Sequence, residues 1–362
     1  MQDARDIRPL TSLRFFAAMW VVAFHYWPNL SSVMPPLVAK GYLGVELFFV
    51  LSGFILCHVY LDSVADGGFR YGSFLWARLA RIYPLHLATL AGIGAMALAA
   101  LAAGRVIDPN ILSWSSLPAN LLLVQAWGFA PQAGWNHPSW SISAEWFAYL
   151  GFPVTAWVAL KLADRPRAAV AGALVLLVGL YAAFDVLAGS PLTHATIRWG
   201  ALRIVPCFAY GAAINLLWRK SAVERRRPAV LGALFSGAAV LLSAQLLAPD
   251  ALIVGLFGGL IFSLAALTKA GENSGGGRLF VYLGEISYSI YMICIPWKLL
   301  FVNAVAPALH LDKSHLPLYL WLLLYVAVIP LSAMSYHLVE HPARRWMRRR
   351  RVVGAEALTS VA

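Results

Sequence analysis

The chain has 362 residues, 60% of them hydrophobic and only 12% charged, with a formal net charge of +12. A mean hydropathy of +0.71 is too apolar for a water-soluble protein of this length, and the strand-length alternation of a membrane barrel is absent. An all-α, polytopic transmembrane bundle is therefore expected, and a nucleic-acid partner is not, because basic loops beside anionic lipid account for the charge.

Apolar runs divided by charged or Gly/Pro-rich breaks predict about ten spanning helices, near 13–32, 43–61, 83–104, 140–160, 168–188, 198–218, 229–247, 251–268, 279–303 and 316–338. The segment LPANLLLVQAWGF is too short and polar-flanked to cross, and reads as a re-entrant or interfacial helix. The opening MQDARDIRPL mixes acidic and basic residues and does not read as a cleaved secretory signal. With both termini in the cytoplasm, most of the 28 lysines and arginines fall on the cytoplasmic side, the exceptions being Lys40, Arg105, Arg198, Arg203, Lys298 and Lys313. Residues 1–343 form the membrane domain in this reading, and 344–362 a basic cytoplasmic tail.

The first predicted span holds Arg14 and His25, eleven positions apart. At about 100° and 1.5 Å per residue they share a helix face and stand about 16 Å apart along the axis. Snorkelling of Arg14 to lipid phosphate and packing of His25 are the bland alternatives. The second span opens with GVELFFVLSGF, where Glu46 is either an interfacial carboxylate or a partner for His25. In FLWARLARIYPLH, Arg78 and Arg81 share a face at the cytoplasmic edge, where they could grip the phosphates of a nucleotide-like cofactor or act as a positive-inside anchor.

WNHPSWSISAEW brings His137, Trp140, Ser141, Ser143 and Glu145 to the outer re-entry point, with Glu145 expected at the depth of His25. A neutral imidazole there could take a hydroxyl proton and a carboxylate could orient it; interfacial girdling is the alternative for the tryptophans. Arg198 and Arg203, outside the charge bias, are substrate-binding candidates together with Glu46, Trp140, Ser141 and Tyr288. Glu340, followed by Pro342 and arginines, reads as an architectural helix end. Cys57, Cys207 and Cys294 have neither metal-ligand nor redox spacing and read as core residues; no metal is expected.

Taken in order, the arginine with a histidine after ten intervening residues, GVELFFVLSGF, RLARIYP, WSISAE, SYSIYM and YHLVEHPARR resemble the integral-membrane acyltransferase 3 family. The resemblance extends over almost the whole chain. It implies an enzyme of the bacterial inner membrane that moves an acyl group, usually acetyl, from cytoplasmic acyl-CoA to a hydroxyl at the outer face, commonly on an exopolysaccharide, an O-antigen or a lipid-linked repeat unit. Acetyl-CoA is then a donor substrate, with no permanently bound cofactor, and partners are membrane lipid, a carbohydrate or glycolipid acceptor and glycan-assembly proteins. The matching positions imply Arg14, His25 and Glu145 as catalytic residues and Arg78 and Arg81 as donor-binding residues. One departure is Cys294, where relatives often carry histidine. A transporter or flippase, or a non-catalytic scaffold, are the alternatives of other classes.

Overall fold

The structure is a computed structural model that describes residues 7–223, 225–271, 277–312 and 315–349. Among these residues the regular elements are all helical. The long helices are α1 (Arg8–Tyr26), α2 (Gly44–Ala65), α3 (Tyr71–Ala102), α4 (Trp140–Leu150), α5 (Phe152–Lys161), α6 (Pro166–Ala188), α7 (Gly200–Lys220), α8 (Arg226–Gln245), α9 (Asp250–Lys269), α10 (Gly277–Glu285), α11 (Ser287–Leu300) and α12 (Leu318–Ser335).

Among the described residues, eight helical segments are long and apolar enough to cross a membrane: those built on α2, α3, α6, α7, α8, α9, α11 and α12. The other two expected crossings depart from that pattern for visible reasons. Helix α1 carries Arg8, Arg14 and His25 within 19 residues, and the 140–160 run is divided at Gly151 into α4 and α5, with Pro153 in the first turn of the second piece. Helix α3 begins at Tyr71 rather than near residue 83, so Arg78 and Arg81 sit on its first turns and Pro84 lies inside it. Prolines also lie inside α7, α11 and α12, as neighbouring helices in a membrane bundle permit. The LPANLLLVQAWGF segment forms only short turns, Leu117–Leu121 and Gln125–Trp127. They are sewn to α4 by Ser143, whose hydroxyl donates to the Leu123 carbonyl and accepts from the Ala126 amide.

The last helix corrects another expectation. Glu340 does not end it; a π-helical turn, Tyr336–Glu340, widens the helix, which then continues through residue 349. Pro342 lacks an N–H and its ring presses on the preceding turn, so a widened turn just before it is the adjustment that lets the helix go on. The expected basic tail thus begins inside this helix, and its part beyond 349 lies outside the described residues.

Two apolar clusters hold the bundle, one centred on α2, α4, α6, α7 and α9, the other on α11 and α12. Helix α1 stands between them, giving Ala17 and Val21 to the first and Ala18, Val22 and Tyr26 to the second. The tightest crossing is α2 on α7. A Cβ on Gly53 would run into the Phe208 carbonyl and one on Gly211 into the Val50 carbonyl, so each glycine lets the other helix's backbone come close.

Candidate active site

Two cavities lie along α1. The first, about 760 Å³ of space between atoms, is lined by Arg14, Arg78 and Arg81 and by Ser52, Ser141, Glu145, Tyr149, Ser287 and Tyr288. Three guanidinium groups against one carboxylate leave this arginine cavity strongly positive. Arg14 and Arg81 have no hydrogen-bond or ion-pair partner among the described residues. Arg78 touches Tyr60 through a long 3.4 Å contact from one Nη and a stacked ring at 5.7 Å, while its Nε and the hydroxyl of Ser287 are buried without a partner. Buried donors in this state are free to bond a water or a ligand. Arg344, on the continuation of the last helix, adds to the positive field around Arg78 and Arg81.

The second cavity, about 920 Å³, is lined by His25, His137 and His194 with Phe24, Tyr42, Trp140, Thr193, Thr196 and Arg203. Val45 and Tyr291 line both cavities. The shared pair lies between the two spaces, and α1 carries Arg14 into one and His25 into the other. Lys298 donates to the His25 carbonyl at 2.7 Å and Trp321 to the Tyr26 carbonyl at 2.9 Å. Those carbonyls belong to the last turn of α1, so the two side chains help fix the segment that carries the imidazole. His137 lies in the loop before α4, and burial holds its pKa below the ordinary histidine value. Among the described residues, no group of three or more His, Cys, Asp or Glu is arranged to hold a metal ion.

Several candidate residues do not stand where the sequence suggested. Glu145 does not share a cavity with His25; one turn into α4 it lines the arginine cavity, where Ser52 donates to its Oε1 at 2.6 Å and Tyr149 lies against it. Glu46 is not a partner of His25 either, and it lines neither cavity. It is fully buried, with Arg203 Nε donating to one oxygen and Arg203 Nη2 to the other at 2.9 Å. The remaining Nη1 of Arg203 donates to the Ala195 carbonyl at 3.1 Å, and its face lies 4.6 Å from the Trp140 ring. Arg198 is exposed and lines neither cavity. Ser141 and Tyr288 line the arginine cavity and Trp140 the histidine cavity; Ser141 donates to the Pro138 carbonyl and Tyr288 to that of Ile82. Cys294 is fully buried in the α11–α12 cluster, and its thiol donates to the Tyr291 carbonyl at 3.1 Å.

Two features of the site were not read from the sequence. Glu340 is buried, takes a hydrogen bond from Ser289 at 2.8 Å and keeps its second oxygen without a partner, within electrostatic reach of Arg81 and Arg14. Asp250, at the start of α9, gathers Lys40 at 2.6 Å, Tyr42 at 2.9 Å and Thr193 at 2.5 Å, and so pins two residues that line the histidine cavity. The signal for Glu340 was available: an acid between an apolar run and an arginine cluster has cations waiting for it.

No solved structure matches the chain. It is 30% identical over 318 residues to "Acyltransferase MdmB" of Streptomyces mycarofaciens, covering 78% of this chain and 77% of that one. A Staphylococcus aureus (strain COL) protein with an unproven O-acetyltransferase designation is 22% identical over 370 residues, 94% of this chain but 58% of its own length. A 94-residue stretch is 38% identical to "Protein 2 in picA locus" of Rhizobium radiobacter, covering 24% of this chain and 49% of that one. The sequence profile of the acyltransferase domain family matches residues 9–337, a span that holds α1, both cavities and the π turn's first residues, and by that match this multi-pass membrane chain belongs to the acyltransferase family.

Proposed function

We propose that the protein is an O-acyltransferase that takes its acyl group, most simply acetyl, from acyl-CoA at the arginine cavity and passes it to a carbohydrate hydroxyl in the histidine cavity. The observation that carries this reading is a triple-arginine cavity and a histidine cavity with Val45 and Tyr291 between them. Guanidinium groups with unused donors suit phosphates, which they hold by paired, charge-assisted hydrogen bonds. Three of them, with Glu145 in the lining and Glu340 close by, keep an excess of positive charge that suits the several phosphate charges of CoA. Glu145, bonded to Ser52, acts on Arg14 through its charge rather than assisting the base.

In this mechanism the pantetheine arm runs from the arginines toward Tyr291, covering the roughly 16 Å that separates Arg14 from His25 along α1. His25 accepts the proton of the acceptor hydroxyl, and the oxygen forms a C–O bond to the thioester carbonyl carbon. Collapse of the tetrahedral intermediate breaks the C–S bond, and the thiolate leaves with the proton as free CoA. The charge bias of the loops supports an orientation with the arginine cavity facing the cytoplasm, and in this reading the membrane is a bacterial inner membrane in which glycan-assembly proteins supply the acceptor.

The test follows radiolabelled acetyl-CoA with the purified protein in detergent, with and without a cell-envelope glycan extract. Acceptor-dependent CoA release and label transfer, both lost in His25→Ala with folding intact, are expected. A folded protein that neither binds nor cleaves acyl-CoA beside a working control would overturn the proposal in favour of transport or scaffolding.

A further inference from the structure

The histidine cavity carries a charge pattern that narrows its occupant. Among the described residues its only permanently charged lining group is Arg203, and the charge of that guanidinium is already paired with Glu46. Its Nε and Nη2 donate to Glu46, its Nη1 to the Ala195 carbonyl, and its face is covered by Trp140. One N–H on each Nη is left over and suits a hydroxyl, but the charge itself is already matched by Glu46, so a carboxylate or phosphate on a ligand meets no unbalanced positive group.

The converse also holds, since no carboxylate lines the cavity. Glu46 is consumed by Arg203, and Asp250, which reaches Tyr42 and Thr193 from behind, is already shared with Lys40. A cationic ligand would find no counter-charge. The groups that do face the space are aromatic rings, hydroxyls and imidazoles: Trp140, Tyr42, Thr193, Thr196, His137 and His194. Burial of His137 keeps that imidazole in its neutral form near pH 7.

Bringing an ionised group into such a site costs its hydration with no partner to replace the lost water. A ring bearing only hydroxyls loses little, because each hydroxyl can exchange water for threonine or imidazole while the ring's C–H face covers an aromatic surface. Resting on the acyltransferase reading above, we infer that the residue acylated in the histidine cavity is an uncharged sugar, and that uronates, phosphorylated sugars and amino sugars with a free ammonium are excluded.

The test uses the full-length protein in nanodiscs with radiolabelled acetyl-CoA and three probes that share a ring and an alkyl tail: octyl glucoside, octyl glucuronide and octyl glucosaminide. Free CoA and labelled glycoside are both quantified. Label on the glucoside at ten times or more the rate on either charged probe is expected, at low and at high salt alike, because no surface charge is doing the sorting. Equal or faster labelling of the glucuronide or the glucosaminide would overturn the inference. If none of the three takes label while an envelope glycan extract does, the labelled residue is isolated from that extract; a neutral residue supports the inference and a charged one refutes it. CoA release that leaves label on no sugar refutes it too. Absence of any CoA release is a different failure, that of the acyltransferase reading itself.

Discussion

Glutamate 46 and Arg203 form the most deeply buried ion pair described, with side-chain exposures of 0% and 3%. Replacing Glu46 by Ala leaves the guanidinium with the Ala195 carbonyl and the Trp140 face as its partners and with its charge unmatched. A buried pair broken from one side typically costs about 3 to 5 kcal/mol, and the exposure is too low for solvent screening to reduce this. At about 1.4 kcal/mol per tenfold, the folded-to-unfolded ratio falls by roughly 10² to 4 × 10³. Arg203→Ala carries a similar penalty, since Glu46 is then stranded. The double variant Glu46→Leu/Arg203→Met removes both charges and fills the space, and is expected within about 1 kcal/mol of the parent because apolar replacements of buried pairs are often neutral. The assay is reversible unfolding in mixed micelles with rising SDS fraction, run as a double-mutant cycle. Single variants within about 1 kcal/mol of the parent, or a double variant as unstable as either single, would refute the reasoning.

Arg78→Ala and Arg81→Ala should each raise KM for acyl-CoA about tenfold or more with a smaller effect on kcat, the loss of a charge-assisted contact, and initial rates against donor concentration check this. Lys298→Met frees the His25 carbonyl and should lower kcat roughly tenfold while leaving acyl-CoA binding intact, with Lys298→Arg restoring most of it; a charged hydrogen bond is worth about 1.5 to 3 kcal/mol. Gly211→Ala should destabilise by about 1 to 3 kcal/mol or more, because its methyl meets the Val50 carbonyl, whereas Gly92→Ala, in open space, should be neutral in the same unfolding assay. His137 binds its proton less readily folded than unfolded. Its contribution to stability is therefore complete above the unfolded value of about 6.5, erodes as the pH falls below it, and levels off beneath the folded pKa. His137→Gln should flatten that acid-side slope in unfolding curves taken from pH 7.5 to 5.

Most of the helical layout was legible because a lipid-facing or core helix must be apolar over its whole length, and that requirement prints itself on one contiguous stretch. The shared face of Arg14 and His25 was legible for the same local reason. What was hidden depends on partners far along the chain. Glu46 and Arg203 are 157 residues apart, and the sequence hint was only that both are ionisable, lie on the same side and defy their apolar surroundings. Glu145 was assigned to the wrong cavity because one helical turn separates the loop that faces His25 from the face that meets Ser52. The break at Gly151 and the widened turn at Tyr336–Glu340 are backbone adjustments to Pro153 and Pro342, whose outcome depends on neighbouring helices more than on the residues themselves.

Tyr291 and Val45 deserve a last consideration as a barrier. In the proposed orientation, a passage open to water at both ends shorts the gradient that an energised membrane maintains, so it has to be blocked whenever the donor's arm is out. The Tyr291 hydroxyl is anchored to the Pro138 carbonyl at 2.9 Å, which ties the ring to the loop ahead of α4. If the proposed transfer path holds, the same phenol would be both its plug and part of the wall beside the acyl group, and a glycine in its place would trade insulation for a proton leak.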